Sequence, residues 1–173
     1  MVKYLQLNKP EVKKLKESNI IYIIPMLNPD GVALGMTKCT GPNGVNISYS
    51  VGTDDPSSRT LINFVDKIIP ELWIDIHSWM YYNEDGLWAT HQWVADGITS
   101  KLPDKTFQGM DWKVSLLSER KQKNHLWQYL KSKYDSGGAS LSFTWYRRSE
   151  KDMRKIGIYL INAFVEILSE KNN

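Results

Sequence analysis

Leu72-Trp73-Ile74-Asp75-Ile76-His77-Ser78 alternates aliphatic residues with others at the period of two that marks a β-strand. The alternation assigns Leu72, Ile74 and Ile76 to a face turned toward a core, and Trp73, Asp75 and His77 to the opposite face. Just upstream, Pro70 stops a helix whose apolar face is Leu61, Ile62, Val65 and Ile68. Ser57 or Ser58 can cap that helix, which runs to about Ile69. Further upstream, Ile20 to Met26 (IIYIIPM) is apolar throughout and rich in β-branched residues, the pattern of a strand buried on both faces. It leads into Asn28-Pro29-Asp30-Gly31, a strong turn signal. A short helix from Pro10 to near Asn19 precedes this strand. A long loop rich in Gly, Asn, Thr and Ser follows it, from Val32 to Asp55.

Downstream of Ser78, weaker strands are predicted at Leu87–Trp93 and Trp112–Leu117, around a helix near Val94–Lys101. A helix over Glu119–Lys133, a Gly137-Gly138 turn and a strand over Ala139–Arg147 come next. The last helix is capped by Ser149 and carries the stripe Ile156, Leu160, Ala163, Phe164 and Ile167. Strands alternating with helices predict an α/β three-layer sandwich with a mixed, largely parallel sheet, formed by one domain over residues 1–173. In such sheets, sites form beyond the C-terminal ends of the strands, where His77 and the long loop both fall.

Composition narrows the function. With 22 basic against 19 acidic residues the net charge is only +3, and the basic residues are scattered. Their one cluster, Arg120-Lys121-Gln122-Lys123, suits a solvated helix start, so no nucleic-acid partner is expected. A single cysteine, Cys39, excludes an internal disulfide and a cysteine-rich zinc knuckle. No apolar stretch reaches the roughly 18 residues of a membrane span, and Met1 to Pro10 has no signal-peptide core. A soluble cytoplasmic protein without membrane contact is the expectation.

Three of these segments, in order, resemble the zinc carboxypeptidase family: Ile20–Val32 with its Asn-Pro-Asp-Gly, Leu72–Ser78 with its strand-final histidine, and Ser142–Tyr146 (SFTWY) at the final strand. Val2–Glu17 and Lys151–Ser169 are similar to the helices that precede the first segment and close the fold. The resemblance implies the C-terminal part of such a domain, with a degenerate site. In the family, zinc is held by His-x-x-Glu plus a distant histidine, and a glutamate takes the proton of the metal-bound water. An arginine steadies the oxyanion, and an Asn-Arg pair grips the substrate's terminal carboxylate.

Position by position, the resemblance makes His77 the third zinc ligand, the single one remaining. The His-x-x-Glu pair falls upstream of Val2, and neither His91 (followed by Gln-Trp-Val) nor His125 (Leu-Trp-Gln) replaces it. Lys38 occupies the oxyanion-arginine position, keeping the charge but losing the planar fork. Ser48 and Tyr49 replace the Asn-Arg carboxylate grip. Tyr146 stands at the general-base glutamate, and its phenol is a poor substitute for a carboxylate beside a metal. Tyr134 faintly resembles the family's active-site tyrosine loop.

Bland alternatives stand beside these assignments. His77 suits a hydrogen-bonded strand end as well as a metal, and Asp75 suits either an imidazole or a neighbouring helix. Trp73, Trp79, Tyr81, Tyr82, Trp88 and Trp93 suit a stacking platform for sugar or peptide, or a cover over the sheet. The expected protein is thus catalytically inactive, with a remnant peptide- or carbohydrate-binding cleft. It needs no cofactor, and zinc only if a partner supplies the missing ligands. The alternatives are a divergent or split metallocarboxypeptidase completed by another chain, and an assembly protein that uses an exposed sheet edge. A second copy or a partner chain is expected to cover that edge.

Overall fold

Helices form where a cap and an apolar stripe coincide. The computed structural model describes residues 2–36, 44–79, 84–101, 111–117, 123–144 and 148–171. Its contacts divide the chain into two compact units, Met1–Ile23 with Ile74–Leu117 and Gly138–Asn173, and Ile24–Trp73 with Ser118–Gly137.

The first unit holds most of the sheet: β1 (Leu72–Trp79), β2 (Glu84–Ala89), β3 (Asp111–Leu116) and β4 (Gly137–Thr144), in the order β1-β4-β2-β3. Strand β2 runs parallel to β3, from Glu84 opposite Asp111 to Ala89 opposite Leu116. It runs antiparallel to β4, from Gly86 opposite Ser142 to Ala89 opposite Ala139. Parallel neighbours need a crossover, and helix α5 (Gln92–Lys101) supplies it, packing on β2 and β3. The α/β class and the mixed sheet are therefore as the pattern predicts.

The last helix, α7 (Glu150–Lys171), has the expected cap in reciprocal form. The Asp152 N–H donates to Ser149 Oγ (3.2 Å), and the Ser149 N–H donates to Asp152 Oδ2 (2.9 Å). Its stripe of Ile156, Leu160, Ala163, Phe164 and Ile167 is buried, as predicted. Helix α7 meets α5 so closely at Gly97 that an added Cβ would lie 2.6 Å from Ile167 Cγ1. Two N-terminal helices, α1 (Val2–Leu5) and α2 (Pro10–Ser18), complete this unit. Tyr4, Val12 and Leu15 cluster with Ile161.

In the second unit, α4 (Pro56–Ile68) is capped by Asp55 rather than by Ser57 or Ser58. Pro56 fits the first helical position, which places the cap at Asp55. Asp55 Oδ1 accepts the Ser58 N–H (2.9 Å), while the Ser58 hydroxyl is buried and donates to the Ser50 carbonyl (2.7 Å). The helix ends with Ile69 in the left-handed region (φ 45°), a conformation a β-branched side chain rarely adopts. Pro70 follows it.

Other expectations fail for local reasons. Asn28-Pro29-Asp30-Gly31 opens a short helix, α3 (Pro29–Ala33), because Asn28 Oδ1 caps the Gly31 N–H (2.9 Å) and proline takes the first helical position. Helix α6 spans Leu126–Tyr134. It does not continue back through Lys123, because Asn124 (φ 62°) turns left-handed before it. Gly137 and Gly138 lie inside β4, and the left-handed residue that makes the turn is Asp135 (φ 52°). Trp93 lies in α5, not in a strand.

Ile20–Met26 forms no strand. Ile20 is 81% exposed, and Tyr22, Ile24 and Met26 are about half exposed. An apolar β-branched run specifies a strand only when neighbouring backbone pairs with it, and no described strand does. Strand β1 forms, but its buried residue is Trp73 from the opposite face, whereas Ile76 is 47% exposed and Leu72, Ile74, Asp75 and His77 are partly buried. Alternation separates two faces without saying which of them finds cover, and the larger indole found it.

Candidate functional site

His77 lies near the C-terminal end of β1, two residues beyond Asp75 and so on the same face. Its Nε2 is 2.7 Å from Asp75 Oδ2. Toward a carboxylate oxygen, which accepts, the imidazole donates from Nε2. Of the two partners open to Asp75, the imidazole is the one it contacts. A metal-binding histidine is oriented in the same way, by a carboxylate on its second nitrogen.

The other two imidazoles serve local structure. His91 Nδ1 is 2.8 Å from Thr90 Oγ1, and its ring stacks on Trp93 (5.9 Å between centroids). His125 precedes α6, where its backbone N–H donates to Gln128 Oε1 (3.2 Å). Its ring meets Tyr49 edge-on at 4.4 Å. Among the described residues, no group of three or more His, Cys, Asp or Glu is placed to hold a metal ion. A catalytic zinc takes three protein ligands, and the sequence contains three histidines with no His-x-x-Glu. Among the described residues the donors are not grouped as that metal requires.

The residues at the carboxylate-grip positions lie in a short 3-10 turn, Ile47–Tyr49. Asn46 Oδ1 accepts the Ser48 N–H (3.0 Å), which pins the turn. Tyr49 stays 46% exposed beside His125. His77 belongs to the first unit, and Ser48, Tyr49 and Tyr134 to the second. Lys38 and Tyr146 fall outside the described residues.

Tyr134 is the last residue of α6 and not part of a loop. Its hydroxyl donates to Asp66 Oδ1 (2.9 Å). Asp66 also accepts from the Tyr129 hydroxyl (2.6 and 2.8 Å) and from Lys133 Nζ (2.9 Å). Lys133 donates in turn to the Tyr129 oxygen (2.6 Å). The Tyr129 hydroxyl, then Lys133, hold the Asp66 carboxyl below its ordinary range. Tyr129 and then Asp66 raise Lys133, while burial and then the hydrogen bond to Asp66 push the Tyr129 phenol up. The cluster joins α4 to α6 and leaves the Tyr134 hydroxyl committed to a carboxylate.

Sequence reasoning missed a buried ion pair. Arg148 donates from Nη1 to Asp85 Oδ1 (2.8 Å) and from Nη2 to Oδ2 (2.5 Å), with both side chains fully buried. Asp85 Oδ1 also accepts the Thr144 N–H (2.9 Å), and Arg148 Nη1 donates to the Thr144 carbonyl (3.2 Å). The pair therefore fastens β2 and the end of β4 to the segment leading into α7. Within Glu84-Asp85-Gly86, an acid in a weak strand carries no sequence signal for such a role. Of the aromatic run, Trp73 and Trp88 are buried, so neither offers a face for stacking. Trp79, by its side chain, and Tyr81 and Tyr82 lie outside the description.

No family model matches the sequence. The chain is 25% identical over 139 residues to mouse cytosolic carboxypeptidase 2, a match covering 70% of this chain and 16% of that protein. It is 49% identical over 39 residues to human cytosolic carboxypeptidase 1, covering 22% of this chain and 3% of that protein. Its fold superposes on a metallo-carboxypeptidase from Burkholderia cenocepacia with TM-score 0.74 at 14% identity, over 94% of this chain and 48% of that one. A carboxypeptidase A-like structure from Shewanella denitrificans gives 0.62 at 16% identity, over 85% and 44%. The chain thus spans about half of the solved structures it resembles and a small part of the curated relatives. Among the described residues, no helix is long and apolar enough to cross a membrane. The strand that carries His77, the Asn-Pro-Asp-Gly segment and these similarities point the same way: the chain is similar in sequence to cytosolic carboxypeptidases and in fold to metallo-carboxypeptidases.

Proposed function

We propose that these 173 residues form a carboxypeptidase-like domain that does not hydrolyse peptides with its own side chains and keeps a remnant surface for a peptide or related ligand. The observation that carries this reading is the scatter of its three histidines: His77 on Asp75, His91 on Thr90 and Trp93, His125 on Tyr49. The sequence has no His-x-x-Glu to join His77 on an ion, and no metal-holding group of three occurs among the described residues. Tyr146 at the general-base position and Tyr49 at the carboxylate clamp point the same way. Tyr49, half exposed on an imidazole, is the contact surface that remains for a ligand. A cytoplasmic location accords with the cytosolic relatives.

A second reading has one observation in its favour. The Asp75–His77 bond orients the imidazole as a metal ligand requires, which suits a site completed by another polypeptide. Elemental mass spectrometry of protein purified without chelator separates the two, with His77→Ala alongside and a C-terminal peptide-hydrolysis assay on both. Zinc far below one per chain and no hydrolysis are the expected results. Near-stoichiometric zinc that disappears in His77→Ala would overturn the first reading.

A further inference from the structure

The cluster around Asp66 has the make-up of a cation site that already holds a cation. Lys133 Nζ donates to Asp66 Oδ2 (2.9 Å) and to the Tyr129 oxygen (2.6 Å). The same ammonium lies 4.9 Å from the Tyr129 ring centroid and 5.2 Å from that of Tyr134. The two rings stand edge to face, at 78° with centroids 6.5 Å apart, so they flank the ammonium from two directions. A carboxylate with two aromatic rings is the combination that recognises an alkylammonium group.

The surroundings favour a cation whichever molecule supplies it. Asp66 lies in the last turn of α4, and Tyr134 is the last residue of α6. The two helix ends are tied together: Ser136 Oγ donates to the Pro70 carbonyl (2.6 Å), and the Gly137 N–H donates to the Glu71 carbonyl (3.0 Å). Both helices therefore bring the negative end of their dipole to the cluster. The aromatic walls do not depend on Lys133, because Tyr129 and Tyr134 each donate directly to Asp66. The Lys133 side chain is 45% exposed and that of Asp66 32%, so the lysine can swing into water and leave the carboxylate open to another ammonium. We propose that Asp66, Tyr129 and Tyr134 form a binding site for the lysine side chain of a peptide, with Lys133 as its built-in competitor. A lysine is the occupant because the site already accommodates that chemistry. The proposal rests on the peptide-binding reading above only for the ligand being a peptide, and its test reads neither hydrolysis nor zinc.

The test is a titration of Nα-acetyl-lysinamide into the native chain and Lys133→Ala, read from the ring-proton NMR signals of Tyr129 and Tyr134. Glycinamide, run alongside, offers an α-amino group instead. Lys133→Ala should bind the lysine derivative about tenfold more tightly than the native chain, because a tethered competitor at millimolar effective concentration has been removed. Lys133→Gln, checked with it for native circular dichroism, serves if the alanine variant does not fold. Asp66→Asn in the same background is isosteric and should abolish the binding. No saturable shift in either Lys133 variant overturns the proposal, as does equal affinity in those variants and the native chain. So does binding that Asp66→Asn leaves unchanged, or glycinamide bound as tightly as the lysine derivative.

Discussion

Asp66 shows how one side chain can organise its neighbourhood without being buried. Its carboxylate gathers two phenols and an ammonium within hydrogen-bond distance, and each stabilises the ionised form. The sign of the pH dependence follows. A carboxyl held below its ordinary value, near 3.8, contributes stability that is fully present above that value. The contribution is lost as pH falls through the lowered folded-state value. Melting temperature measured from pH 6 down to pH 2 should therefore fall more steeply in the native chain than in Asp66→Asn, with the difference confined to below about pH 4. Parallel curves would show that water screens the cluster to no effect. Tyr134 belongs to this argument. A tyrosine before Gly137-Gly138 suggests a loop in the sequence, but Asp66, which captures it, lies 68 positions away.

At the scale of elements, Asp85 and Arg148 tie β2, the end of β4 and the start of α7 together, with the backbone of Thr144 enclosed between them. Removing one member strands a buried charge and an orphaned amide, so Asp85→Ala should cost about 3–5 kcal/mol in denaturant unfolding. A double replacement of Asp85 and Arg148 by apolar residues should recover a large part of that loss. An equal or larger loss in the double variant would show that the pair itself is indispensable. This is also the scale at which the sequence divides into legible and illegible parts. The cap and stripe of α7 were readable because Ser149, Asp152 and the apolar residues act within a few turns of one another. Ile20–Met26 was misread because a strand exists only through its neighbours, and the Asp85–Arg148 pair went unseen because its partners lie 63 positions apart. Around His77 the sequence offered the bond to Asp75 as one of two readings, and the structure shows it, but it gave no hint that His125 and Tyr49 would meet.

For the molecule as a whole, resemblance of fold does not carry a metal site with it. The superposition covers 94% of this chain but 48% of the Burkholderia structure, so a large part of that chain has no counterpart in these residues. Among the described residues no group of three or more His, Cys, Asp or Glu is placed to hold a metal ion, and the His77 ring is held by Asp75. Binding to the native state alone raises stability in proportion to the logarithm of occupancy, by about 2.7 kcal/mol when the free ion is at a hundred times its dissociation constant. For a chain of this size that is worth roughly 2–4 °C per kcal/mol. Melting curves recorded in chelator and in excess zinc should superimpose, because a lone imidazole gives the folded state no advantage over the unfolded chain in holding the ion. A rise of several degrees in zinc that His77→Ala abolishes would show that the missing ligands are supplied within these residues, and the domain would then have to be regarded as a working metal site rather than its scaffold.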